Sequence, residues 1–216
     1  MQVHADLSLR AVVNSNELPW TDTRLPGVQR RMLERNGEET GRATTIVRYE
    51  PNSYFDAHTH DGGEEFLVLD GVFSDAMGDF HQGMYVRNPI GSKHKPFTKD
   101  GTTILVKLSQ FEADDQDYVR LDTNNAEWLP GQIDGLQVMP LHAFGSEHVA
   151  LVKWAPRTKY VSHAHPQGEE IFVLSGVFAD EHGTYPAGTW IRNPAGSKHT
   201  PFSDEGCVIY VKTGHL

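Results

Sequence analysis

The sequence predicts an all-β protein made of two tandem double-sheet jelly-roll barrels, and three observations predict it. First, HTHDGGEEFLVLDGVF from His58 returns as HAHPQGEEIFVLSGVF from His163, and RNPIGSKHKPF returns as RNPAGSKHTPF, all at an offset of 105 residues. Aligned without a gap, residues 58–108 and 163–213 share 26 identities in 51 positions. A repeat of that period is domain-sized, so it reads as two copies of one domain and not as a solenoid. Second, the apolar segments are short, β-branched and aromatic, and are punctuated by Gly, Pro or Asp. Third, no window of helical length carries an apolar stripe of about 3.6-residue period.

The elements follow in order. TTIVRY (44–49), EEFLVLDGVF (64–73), GMYVRN (83–88) and TTILVKL (102–108) read as strands of the first copy. ALVKW (150–154), EEIFVLSGVF (169–178), GTWIRN (188–193) and CVIYVKT (207–213) are their counterparts. RNGEETGR at 35–42 and FGSEH at 144–148 read as hairpin loops. With further short segments each copy offers roughly seven or eight strands, which suits a jelly roll. The repeat also reaches upstream: PGVQRRML (26–33) matches DGLQVMPL (134–141) after a small length change, and Trp20 and Trp128 precede these blocks. Residues 1–112 and 113–216 are therefore expected to be the two domains, with the seam in the acidic stretch at 112–117.

Composition narrows the function. A formal charge of −10 with no basic run argues against a nucleic-acid partner, since phosphate binding wants a basic face. No apolar run approaches the ~20 residues of a membrane span. The N-terminus has no cationic start followed by an apolar stretch, so no secretory signal is evident and a cytoplasmic location is the expectation. Cys207 is the single cysteine, so no intrachain disulfide can form.

The chemistry lies in a constellation written twice. In a strand, residues i and i+2 share a face, so His58 and His60 aim their imidazoles the same way, as do His163 and His165. Glu64 and Glu169 open the next strand, and His94 and His199 return from a distant turn. Three imidazoles and a carboxylate suit a borderline divalent ion such as Zn, Fe, Mn or Ni and leave it a net charge of about +1. A lone His-x-His is common on solvated strands. Here, about half of the aligned positions have diverged while all four candidate ligands match. Glu65 and Glu170 have the opposite strand parity and are expected to support the site or face away. The repeated Arg87-Asn88 and Arg192-Asn193 could orient an anion, or fix the turn that follows. Phe97 and Phe202 are expected in the core, and Lys93 and Lys198 outside the barrel. His4, His81, His142, His148, His182 and His215 have no histidine opposite them and read as solvated or local structure.

These residues resemble the cupin motifs. HTHDGGE with Gly71 and HAHPQGE with Gly176 match His-x-His, three residues, Glu, six residues, Gly. Gly83, Pro89, Gly91 and His94, and again Gly188, Pro194, Gly196 and His199, match the second motif. The Asn usual four positions after the last His is replaced by Thr98 and Ser203, which weakens an analogy to oxalate-type enzymes. GEE-[FI]-x-VL-x-GVF-x-D followed by RNP-x-GSKH-x-PF resembles the cupin-like domain of ChrR anti-sigma factors. That resemblance implies a bicupin with His58, His60, Glu64 and His94, and His163, His165, Glu169 and His199, as ligands of two metal ions, zinc being the expected one. It also implies a part in sensing oxidative stress. Full ChrR proteins carry an N-terminal helical domain that grips the sigma factor through its own His/Cys zinc site. Residues 1–25 are too short for that domain and hold no Cys, so sigma-factor binding in that manner is not expected.

Two functions remain, the first of them the leading expectation and the second its alternative. One is a stress- or ligand-responsive regulatory protein. The other is a metal-dependent dioxygenase acting on a small chelating substrate such as a β-diketone. A small-molecule ligand is expected in either case, and a homodimer is compatible with both.

Overall fold

The computed structural model describes residues 1–38 and 40–216. Strands and turns make up the described residues, with one 3-10 turn at Ser15–Glu17 and no α-helix among them. No helix there is long and apolar enough to cross a membrane. The chain forms two compact units, and each carries one copy of the repeat.

In the first unit the long strand Glu64–Asp75 pairs with Thr102–Leu108 on one side and Met84–Asn88 on the other. Arg42–Tyr49 and Val28–Asn36 extend the sheet beyond Thr102–Leu108. The second unit repeats this with Glu169–Asp180 between Cys207–Thr213 and Thr189–Asn193, followed by Glu147–Trp154 and Leu136–Phe144. Every pairing is antiparallel, so alternate side chains enter a core. Val28, Phe66, Val68, Phe73, Val86 and Ile104 form it in the first unit, and Trp154, Ile171, Val173, Phe178, Ile191 and Ile209 in the second. The hairpin expected over 144–148 is tighter than that, with Gly145 and Ser146 between the two strands. The loop expected over 35–42 includes Glu39, which lies outside the described residues; the strands reach Asn36 and resume at Arg42.

Two glycines explain how each long strand bends. Gly71 and Gly176 have φ of 73° and 71°, a left-handed conformation that L side chains rarely adopt. A Cβ there would lie 2.1 Å from the Gly101 carbonyl oxygen, or 2.0 Å from that of Gly206. Their absent side chains let the strand leave one sheet and join the short hairpin strand Gly78–His81, or Gly183–Pro186.

The units do not coincide with a cut between residues 112 and 113. One unit is Met1–Ala5 with Leu18–Asn125, and the other is Asp6–Glu17 with Ala126–Leu216. Ala11–Asn14, which leads the first copy in sequence, pairs with Thr189–Asn193 of the second. Val119–Asp122, which leads the second copy, pairs with Met84–Asn88 of the first. The docking is the same in both units. Ser15 N–H and Oγ donate to the Gly188 carbonyl at 2.9 and 2.7 Å, and Thr123 N–H and Oγ1 to that of Gly83 at 3.1 and 2.6 Å. The sequence repeat and the packed unit thus differ by one exchanged strand.

Candidate metal centre

Strand register assembles the site. His58 lies directly opposite His94 in a two-stranded pair, and His163 opposite His199. His60 follows His58 on the same face, and its N–H and C=O bond to Ser92 and Gly91, closing the turn that returns His94. Glu64 is registered against Asn88, whose Nδ2 donates to Glu64 Oε2 at 2.9 Å. Glu169 and Asn193 repeat that bond at 2.9 Å.

The three imidazoles converge in each unit. Ring centroids are 4.7 to 4.9 Å apart for His58, His60 and His94. They are 4.7 to 5.0 Å apart for His163, His165 and His199. Glu64 Oε2 stands 3.3 Å from His60 Nε2 and 3.6 Å from His94 Nε2. Glu169 oxygens stand 3.5 Å from His165 Nε2 and 3.5 Å from His199 Nε2.

The donors fit a cation. Atoms ~2.1 Å from one ion stand ~3.0 Å apart at a right angle and ~3.4 Å apart at the tetrahedral angle, and the observed separations straddle those values. His60 Nε2 and His94 Nε2 are buried with no hydrogen-bond partner. His165 Nε2 and His199 Nε2 face each other at 3.1 Å. Tautomers follow from the outer bonds. His58 Nδ1 is 2.7 Å from the Asp56 carbonyl and His163 Nδ1 3.0 Å from that of Val161. A carbonyl only accepts, so those Nδ1 atoms carry the proton and Nε2 keeps its lone pair for the centre. Asp75 Oδ2 holds His94 Nδ1 at 2.9 Å, and Asp180 Oδ2 lies 3.5 Å from His199 Nδ1.

Burial favours the neutral, ligating form at three of these rings. Burial holds His60 and His165 below the ordinary imidazole value although Glu64 and Glu169 pull the other way. Burial also lowers His163. His199 is raised: burial pushes it down, and Asp180 and Glu169 outweigh that. Asp180 itself is brought down to about 2, because His199, Tyr185 and the His182 N–H outweigh its burial.

The remaining sequence expectations separate cleanly. Glu65 is buried on the opposite face, where Arg87 Nη1 at 2.7 Å and Tyr85 Oη at 2.6 Å donate to it. Arg87 also pairs with Asp115. It is thus an internal brace, while Asn88 reaches the candidate ligand Glu64. Lys93 and Lys198 are exposed, as expected. Phe97 is a correction: it is 46 % exposed and not in the core, because its two-bridge segment pairs its backbone with Tyr54 and Ser74 and turns its ring outward. His215 is buried beside Glu170 at 3.3 Å, a local contact. Sequence reasoning did not assign Asp75 and Asp180, although both recur at the 105-residue offset inside the repeated GVF-x-D.

A cavity of about 440 Å³ opens onto His58, His60 and Glu64. Leu25, Val47, Phe55 and Val106 give it apolar walls, and Arg30, Arg35 and Thr45 add polar points. A mostly apolar chamber with a few convergent polar groups is the usual form of a small-molecule site.

The model of the ChrR cupin-like domain matches residues 8–112 and again 116–216. The chain belongs to the ChrR cupin-like family. Both cupin copies are covered, so it is a bicupin. A search of the curated proteins finds no match. Among solved structures, a Nostoc punctiforme protein provisionally assigned as a dioxygenase superposes with a TM-score of 0.81 at 15% identity, covering 97% of this chain and 84% of that one. A glyoxylate-induced protein, so named provisionally, from Pseudomonas aeruginosa gives 0.76 at 14% identity, covering 94% and 87%. Lactobacillus farciminis oxalate decarboxylase in its formate complex gives 0.67 at 13% identity, covering 95% and 86%. At such identities these likenesses establish the fold.

Proposed function

We propose that this bicupin is a metal-dependent enzyme of the dioxygenase class, with a small chelating molecule such as a β-diketone as substrate and the first unit as its reaction chamber. The observation that carries the reading is the cavity that ends on His58, His60 and Glu64. In this reading His58, His60, Glu64 and His94 hold one divalent ion, and His163, His165, Glu169 and His199 hold a second. The bound ion would supply Lewis acidity and a place for dioxygen beside the substrate. The chain's own residues do the rest. Asp75 and the Asp56 carbonyl fix the rings that donate to the ion. Asn88 steadies Glu64 through Oε2, the oxygen that faces the His60 and His94 Nε2 atoms and would bind the ion, and Oε1 is left to take a substrate proton. The apolar walls exclude water from the reacting atoms.

The family membership favours a second reading, a regulatory protein in which zinc closes the site and a bound ligand or oxidant alters contacts with a partner. The two readings differ in the ion and its free positions, since structural zinc takes four protein ligands and leaves none open. Elemental analysis of protein purified without a nickel column, with oxygen uptake measured on a β-diketone panel, tests them together. Iron, manganese or nickel with uptake is the expected result. About two zinc ions per chain with no uptake supports the regulatory reading. Metal near zero defeats both.

A further inference from the structure

The exchanged strands carry more than main-chain pairing. We propose that Arg10 and Arg120 are positioning residues for the second and the first metal centre respectively, each supplied by the segment that leads the other repeat in sequence, Arg10 just before its strand and Arg120 within its own. The inference rests on the metal reading above.

In the second unit Arg10 Nε donates to Asn193 Oδ1 at 2.9 Å, and Asn193 Nδ2 donates to Glu169 Oε2 at 2.9 Å. Arg10 Nη2 donates to Tyr185 Oη at 2.7 Å and to Asp180 Oδ2 at 3.3 Å, the carboxylate that faces His199 Nδ1. One guanidinium therefore reaches two candidate ligands through one intermediate each. In the first unit Arg120 Nη2 donates to Asn88 Oδ1 at 2.5 Å, and Asn88 Nδ2 to Glu64 Oε2 at 2.9 Å. Arg120 also lies within electrostatic reach of Asp75, which holds His94.

The physical role is orientation of an amide. A carboxamide presents an acceptor on one side and a donor on the other, and only its partners decide which way it points. A cation on the oxygen side forces the NH2 group toward the glutamate. Turned over, the amide would set its oxygen against that carboxylate and push it off the centre. The rigid fork of Arg suits the task better than the point charge of Lys.

Shared ancestry does not account for the two arginines. In register, Ala11 opposes Arg192 and Val119 opposes Arg87, so the leading strands align Ala11 with Val119. On that alignment Arg10 falls on Tyr118 and Arg120 on Val12. Arg10 stands immediately before its strand and Arg120 within the equivalent one, two positions apart on this alignment, and each still reaches the asparagine behind the candidate glutamate. The common feature is the contact and not the position.

The test uses cobalt(II) as the probe in the full chain. His58→Ala leaves only the second centre, and His163→Ala only the first. Arg10→Met is expected to weaken cobalt binding about 10- to 100-fold in the His58→Ala background, the usual cost of losing a group behind a ligand. In the His163→Ala background it should leave affinity unchanged, although Arg10 lies in the N-terminal sequence. Arg120→Met should show the reverse pattern. The ligand-field bands of the cobalt-saturated centre should shift in Arg10→Met and return in part in Arg10→Lys. Unchanged affinity in the His58→Ala background, or equal loss in both, overturns the proposal. So does a lower melting temperature of the metal-free protein with unmoved bands, the result of mere strand docking. Failure of the unmodified chain to take cobalt would overturn the metal reading itself.

Discussion

The two candidate centres share a cage of three histidines and a glutamate and differ in what surrounds it. Arg30 lines the first cavity, and the residue in its register place in the second unit is Val138, since Arg30 opposes Val47 and Val138 opposes Val152. Arg35 is likewise replaced by Ala143, and Thr45 by Ala150. Duplication copied both cage and walls, and only the walls diverged. On the metal reading proposed above, the difference teaches that a requirement for four converging donors would hold the cage constant, while the wall residues would answer to whatever enters.

The largest effect that could break this comparison is loss of a whole centre. His60→Ala and His165→Ala should each remove one of two metal ions per chain, read by elemental analysis. Oxygen uptake should vanish in His60→Ala and persist in His165→Ala. Uptake lost equally in both would mean that the chambers are not specialised.

A smaller effect sharpens the comparison at the walls. Arg30→Val gives the first chamber the second unit's residue. It is expected to lower kcat/KM about tenfold, or ~1.4 kcal/mol, with metal content unchanged. A variant that works as well as the parent would remove Arg30 from the recognition surface.

The smallest effect concerns acid stability. Asp180 has its folded value depressed from 3.8 to about 2, so the folded state binds fewer protons than the unfolded chain across that interval. Its contribution is fully present above pH 3.8 and is lost as pH falls toward 2. Asp180→Asn should therefore flatten the fall in the metal-free protein's stability between those pH values, followed by urea unfolding. Asp75 is lowered in the same direction, and Asp75→Asn should act likewise. An unaltered acid limb in both variants would show that neither carboxylate is tied to its histidine in solution.

Much of this molecule is local, and what is local was legible. The His-x-His parity, the glutamate opening the next strand and the 105-residue offset are properties of short segments, so the sequence alone determined the all-β class, the duplication and the eight candidate ligands. Asp75, Asp180, Asn88 and Asn193 carried the same repeat signal, but their roles depend on which neighbour their side chains meet. The tertiary structure alone decided the rest. Both edges present the same backbone register to a leading strand, Ala11 against Arg192 and Val119 against Arg87, so the exchange has no local signature in the repeat. Arg10 and Arg120 left no repeat signal, since they occupy different positions of equivalent segments and meet their asparagines only after that exchange. The cavity is likewise a space bounded by side chains from strands far apart in sequence, and volume between strands has no local signature.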